Sequence, residues 1–254
     1  MKVIAFIGSG RKQHTYNASV KFLQNLEFLG NIEYEIVRLS EYDLGTCKGC
    51  RVCFDKGEEF CPFKDDRDKL IEKMRNSDGV VFASPNYSFQ VSSLMKIFLD
   101  RLAFGFHRPC FFGKTFTSIV VQGIGKGEEI VKYLDFIGKG LGFNIVKGCC
   151  IKTLEPMTEK SQKEFDRIID KQSKKFYTQL VKGEYPSPSL WWLMVFRMGR
   201  TSIKKMLNDN WRDFTYYQEK GWFESDYFYP VKMNPFKRLA GKLFDMVAIQ
   251  IIRS

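Results

Sequence analysis

Five short apolar runs recur along the chain: KVIAFIG (2–8), YEIVRL (34–39), GVVFASP (79–85), TFTSIVVQ (115–122) and FNIVKGCCI (143–151). Between them lie stretches of helical period, including 15–29, 92–104, 128–140 and a long charged segment at 158–182. Strands that read as continuous apolar runs are buried on both faces, and strands alternating with helices must cross over to lie parallel. The pattern predicts an α/β fold: a three-layer arrangement around a five-stranded parallel sheet. Asp65 and Asp66 stand ahead of KLIEKM, where a helix N-cap belongs, and capping is the reading taken for them.

The pattern stops at GEYPSPS (183–189), and all four tryptophans lie beyond it. This divides the chain into an α/β domain over 1–182, with residues 47–61 inserted after the second strand, and a helical, aromatic-rich extension over 190–254. No stretch of about eighteen apolar residues occurs, so no membrane span is expected. MKVIAFIG is too short for a signal-peptide core, and a cytoplasmic location is expected.

The net charge of +11 is spread along the chain, without the basic arm or aromatic-interleaved stripe of a nucleic-acid binder. No nucleic-acid partner is expected, and a basic surface also suits anionic cofactors. Two histidines, His14 and His107, leave little room for a histidine metal site or a Ser-His-Asp triad.

In open parallel sheets, ligands bind beyond the carboxyl ends of the strands. The first such loop, GSGRKQHTYNAS, lacks the third glycine of a dinucleotide fingerprint, because Gln13 stands in its place. It offers hydroxyls from Ser9, Thr15 and Tyr16, the Asn17 amide, the cations Arg11 and Lys12, and the start of a helix. Such groups can hold a phosphate monoester, although an ordinary polar turn has the same composition. The loop after the third strand, SPNYSFQ, holds Tyr87 and Phe89 on either side of Ser88. Such aromatics either wall a flat ring or face the core. QGIGKG (122–127) adds a glycine loop on the same rim.

Four of the seven cysteines fall in CKGCRVCFDKGEEFC (47–61), spaced C-x2-C-x2-C-x7-C. In a reducing compartment such clusters are metal ligands or redox groups more often than disulfides. C-x2-C-x2-C is the compact spacing of ferredoxin-type clusters, with Cys61 free to close a fourth corner. Structural zinc favours paired knuckles, and the second is missing here. A [4Fe–4S] cluster on Cys47, Cys50, Cys53 and Cys61 is the favoured reading; zinc or thiols without metal remain open. Cys110, Cys149 and Cys150 are read as packing residues.

Three motifs in order then resemble a known family. The GSGRK loop with Thr15 and Asn17, the block DGVVFASPNYSFQVSSLMKIFLDRL, and CKGCRVC…C…DD resemble the NADPH-dependent FMN reductase family and its iron–sulfur flavoprotein subgroup, over roughly residues 1–180. The resemblance implies a flavodoxin-like, doubly wound three-layer fold, in which Ser9, Arg11, Thr15 and Asn17 bind the FMN phosphate. It implies that Pro85, Asn86, Tyr87 and Phe89 line the isoalloxazine, with Gly123 near its other side. Lys96, Asp100 and Arg101 belong to the pattern too and are read as structural, with Lys96 and Asp100 spaced to pair. Asn86 departs from the usual apolar residue, the gap before Cys61 is long, and the extension lies outside the shared core.

The resulting expectation is an FMN-dependent NAD(P)H oxidoreductase. It would pass electrons from a nicotinamide (NADPH or NADH) or ferredoxin donor to a small-molecule or redox-protein acceptor, with the chemistry on the cofactors. A non-enzymatic flavin electron carrier or redox sensor, and a membrane-docked quinone reductase, are the alternatives. The resemblance also implies a homo-dimer or tetramer. In the extension, apolar residues from Phe236 to Ile251 fall on one helical face. That face either lies on an anionic membrane or packs against the core or a second subunit, and packing is favoured.

Overall fold

A computed structural model describes residues 1–253. The chain divides into two compact units, one of residues 1–48 with 63–184, the other of 49–62 with those from 185 onward.

The first unit is built on β1 (Lys2–Ile7), α1 (His14–Leu29), β2 (Glu33–Arg38), α3 (Arg67–Arg75), β3 (Gly79–Tyr87), β4 (Gln90–Val91), α4 (Ser93–Arg101), β5 (Thr115–Gln122), α5 (Gly127–Gly140), β6 (Asn144–Ile145), β7 (Cys149–Lys152) and α6 (Glu159–Lys182), with α2 (Val52–Asp55) lying in the second unit. The sheet runs β2-β1-β3-β5, with β6 and β7 both pairing β5 as two pieces of the fifth strand. All of these pairings are parallel, and only β4 folds back antiparallel on β3. This is the expected flavodoxin-like order, with its switch point between β1 and β3.

Strand alternation sorts the core into two layers. Val3, Ala5, Ile7, Val81, Ala83, Ile119 and Val121 turn to the side of α1 and α6, where Phe22, Leu26, Ile169 and Phe176 bury them. The alternate residues Phe6, Phe82 and Phe116 form an aromatic chain on the other side. There Phe6 stacks on Phe98 of α4 at 5.2 Å, and Phe82 meets Phe116 edge-on at 5.0 Å. The fifth strand is interrupted at Val146–Gly148, where Asp135 of α5 accepts from the Gly148 N–H (3.0 Å) and the Ser118 hydroxyl (2.8 Å). Burial dominates those bonds and pushes the Asp135 carboxyl above its ordinary range.

The aspartates before α3 do more than the capping read from sequence. Asp66 occupies the N-cap position, but its carboxylate makes no cap bond and instead accepts from the Asp43 N–H at 2.9 Å. Asp65 accepts from the Gly45 N–H (2.9 Å) and takes both guanidinium nitrogens of Arg101, at 2.8 and 3.0 Å. Arg101 also donates to the Gly45 carbonyl (2.9 Å) and lies over Phe63. The pair is almost fully buried, at 2% and 6% exposed. Arg101 and Asp65 are thus structural, as is the Lys96–Asp100 pair one turn apart on α4.

The second unit holds α2, α7 (Leu190–Met206), α8 (Arg212–Glu219) and α9 (Pro235–Arg253). Within it α7 packs on α9 and on α8, and α2 packs on α8. Asp245 of α9 accepts from Arg197, from Arg200 (2.8 Å) and from the Thr201 hydroxyl (2.7 Å), all on α7. Among the described residues, no helix is long and apolar enough to cross a membrane.

Removing one partner of a buried ion pair strands the other charge. Asp65→Ala is therefore expected to lower the unfolding free energy by about 3–5 kcal/mol in urea titrations, with most of the loss recovered in the Asp65→Ala/Arg101→Met double variant. A loss in the single variant no larger than at an exposed aspartate would show that the pair does not hold the loop ends.

Candidate FMN site at the carboxyl edge of the sheet

β1 ends at Gly8, and the chain turns there against the start of α4. A Cβ on Gly8 would sit 2.7 Å from Ser92 Oγ and 2.8 Å from Met95 Cβ, so this crossing admits only glycine. Ser92 caps α4 by accepting from the Met95 N–H and donates to the Gly8 carbonyl. The Gly8 N–H continues the ladder to the Ala83 carbonyl at 2.8 Å. Ser9 is buried, with its hydroxyl bonded to the Arg11 backbone. Arg38 reaches across from β2 to donate to the Gly10 carbonyl at 3.0 Å.

α1 then begins with no side-chain cap and no acidic residue in its first turn. Its leading N–H groups and the positive end of its dipole are left to an anion; Arg11 and Lys12 precede it in the chain, and His14 at its first position pairs with Glu155 at 2.5 Å. The starts of α4 and α5 differ. Ser92 caps α4, while α5 has Gln122 Oε1 on the Gly127 N–H (2.8 Å) and two glutamates in its first turn.

The end of β3 forms the second wall. Tyr87 pairs with Gln90 across a two-residue turn whose central residues, Ser88 (φ 50°) and Phe89 (φ 62°), are both left-handed. A turn of this kind prefers Asn-Gly, so Ser-Phe carries strain of about 1 kcal/mol or more per residue. Tyr87 and Phe89 are exposed and do not face the core. Asn86 donates from Nδ2 to the Gly125 carbonyl (3.1 Å), tying this wall to the glycine loop after β5.

These segments enclose a cavity of about 160 Å³ lined by Ser9, Arg11 and Thr15 at one wall, Pro85, Asn86 and Tyr87 at another, and Gly123 at a third. Lys12, Tyr16, Asn17, Ser88 and Phe89 fall outside the lining; Asn17 is exposed and Tyr16 packs against the core. Gln13, His14, Val121, Gln122 and Thr153 line it without having been singled out in the sequence. Polar residues at strand ends have no period to mark them. Of these, only Gln122 and Thr153 stand at or just past the end of an apolar run, the one place a sequence could have pointed to.

Residues 1–151 match the family model described as NADPH-dependent FMN reductase. The chain belongs to that family. An iron–sulfur flavoprotein of Archaeoglobus fulgidus is 36% identical over 162 residues, 58% of this chain and 71% of that protein. One from Methanocaldococcus jannaschii is 36% identical over 101 residues, 40% of this chain and about half (51%) of that protein. The crystal structure of RosB with bound 8-demethyl-8-formylriboflavin-5′-phosphate shares the fold at TM-score 0.60 and 14% identity, covering 92% of each chain. NADPH-dependent FMN reductases are flavin-dependent oxidoreductases, and membership supports FMN as the ligand of the cavity. The lining fits that group: a basic, uncapped helix start for a phosphate, and beyond it the main chain of two loops.

Of the loop cysteines, Cys47 and Cys50 are exposed, and Cys53 and Cys61 half-buried. Among the described residues, no three Cys, His, Asp or Glu side chains gather closely enough to hold a metal ion. Cys149 and Cys150 differ from the loop cysteines in kind. Burial pushes the Cys149 thiol up to about 12 and the Cys150 thiol up to about 11.

A thiol held protonated does not attack alkylating agents. In metal-free folded protein at pH 8, iodoacetamide is expected to label Cys47 and Cys50 first and to reach Cys149 and Cys150 only after denaturation. Peptide mass spectrometry reads the order, and labelling of Cys149 in the folded state would contradict it.

Proposed function

We propose that this chain is an FMN-dependent oxidoreductase taking reducing equivalents from a nicotinamide dinucleotide, NADPH or NADH, or from a ferredoxin, and passing them to a small-molecule or protein acceptor. The observation that carries this reading is the start of α1: the one uncapped helix start among the three compared, with no acidic residue in its own first turn and with Arg11 in the loop before it, opening into the cavity that the other strand-end loops enclose. When bound, FMN supplies the redox chemistry, exchanging a hydride or single electrons.

The chain's part is to bind and orient. Arg11 and the first N–H groups of α1 would take the phosphate, with the Ser9 and Thr15 hydroxyls beside them. Pro85, Asn86, Tyr87 and Gly123 would border the ring, and the Asn86–Gly125 bond would hold its two walls together. With the redox chemistry on the cofactor, no acid–base dyad is needed from the protein.

The finer reading of the cysteine loop is a [4Fe–4S] cluster on Cys47, Cys50, Cys53 and Cys61. It is supported by the ferredoxin-like spacing and by the names of the relatives. Iron and sulfide assays on protein purified without oxygen test it, and about four irons per chain is the expected result.

Arg11→Ala is expected to weaken FMN binding by roughly 10- to 100-fold, the worth of a hydrogen bond to a charged group. Riboflavin, which lacks the phosphate, should bind wild type and variant alike. Quenching of flavin fluorescence measures both. Equal affinity of wild type for the two flavins would remove the phosphate site, and failure to bind either would remove the function.

A further inference from the structure

We infer that the outer face of α9 is a docking surface for an anionic lipid bilayer, on which the helix lies flat. The helix has three distinct faces. One packs on α7: Gly241 and Ala248 are buried there, and Asp245 is bonded to Arg197, Arg200 and Thr201. A second carries Arg238, Lys242 and Arg253, all exposed. The third is an uncovered apolar stripe of Phe236, Leu239, Leu243 and Met246, each more than half exposed, with Val247 at its edge. These fall at the 3–4 residue spacing of one helical face and extend for roughly 17 Å along the axis.

The charge around the stripe decides what covers it. Asp245 is the only acidic residue in α9, and it is spent inward on the two arginines. The outward surface of the helix therefore presents apolar residues flanked only by cations. A second copy docking the same stripe about a twofold axis would bring those cations together and gain no opposite charge from the helix. An anionic headgroup layer supplies the missing charge, and the acyl boundary beneath it takes the apolar residues.

Trp191, at the start of α7, is 58% exposed. The Lys237 Nζ–Ser187 Oγ bond (2.9 Å) ties the start of α9 to the segment leading into α7, which puts this tryptophan at the Phe236 end of the helix pair. Tryptophan is the side chain that settles at a bilayer interface. Since no described helix can cross a membrane, the attachment is to the surface.

The test is flotation of the whole protein with vesicles of phosphatidylcholine, alone or with roughly one third phosphatidylglycerol. Binding at least tenfold stronger to the anionic vesicles is expected, weakening as salt rises. Leu239→Glu/Leu243→Glu should lose at least tenfold in binding while the melting midpoint stays at the wild-type value. Arg238→Gln/Lys242→Gln, which leaves the stripe intact, should lose about fivefold per cation removed. No flotation with anionic vesicles, or flotation untouched by both double variants, overturns the inference. So does a wild-type dimer in light scattering that ignores vesicles and that Leu239→Glu/Leu243→Glu dissolves, because a second copy then covers the stripe. None of these readouts depends on bound flavin.

Discussion

The buried fork between Arg101 and Asp65 is the constraint on which the site's scaffold turns. A guanidinium and a carboxylate taken out of water recover their desolvation cost only when every donor and acceptor is placed. Here the cation belongs to α4, and its partners, the Gly45 carbonyl and the Asp65 carboxylate, stand at the two ends of the cysteine excursion. Those ends are also zipped to each other: Asp66 N–H to the Asp43 carbonyl, Asp43 N–H to the Asp66 carboxylate, and Gly45 N–H to Asp65. What lies between is relieved of any duty to hold the crossover. Lengthening a loop whose ends are fixed costs only about 0.6 kcal/mol per doubling, so an excursion with a long gap before Cys61 is cheap to keep.

The same helix sets the other half of the site. Ser92 caps α4 and binds the Gly8 carbonyl, so the end of α4 that faces the sheet fixes where β1 stops and the phosphate loop begins. The asymmetry among helix starts then has a physical meaning. A capped helix, or one with glutamates in its first turn, has its N-terminal field already satisfied. α1 has neither, and a helix end left so is stable only where solvent or an anion completes it.

Most of the sheet was legible because its strands are buried on both faces and read as apolar runs. Alternation with helices says only that the strands run parallel; their order is the one the flavodoxin-like resemblance implied. What escaped the sequence had specific causes. The Ser88–Phe89 turn was missed as a hairpin because neither residue is one that left-handed backbone favours. The break in the fifth strand depends on Asp135, thirteen residues before Gly148, filling a gap that no local pattern announces. Asp65 does accept from the Arg67 N–H at the start of α3 (3.2 Å), as the capping reading expected, but its ion pair was missed because Arg101 stands thirty-six residues downstream. The last helix was legible as amphipathic, but one apolar sector of a sequence does not say how much of it a neighbour will cover.

The two edges of the sheet obey different rules, and the difference makes the carboxyl edge the one built for a ligand. At the amino edge the main chain is fully tied: Lys2 and Asp78 exchange bonds, the Thr115 N–H reaches the Asp78 carbonyl, and Lys114 reaches the Ser77 carbonyl. At the carboxyl edge Gly8 is pressed against α4, two non-glycine residues turn left-handed, and a helix begins uncapped. Strain and unmet donors on one rim persist only where the surroundings impose them and something gains from them. A phosphate at α1 would use the unmet donors, and the strained turn keeps Tyr87 exposed beside the cavity it lines.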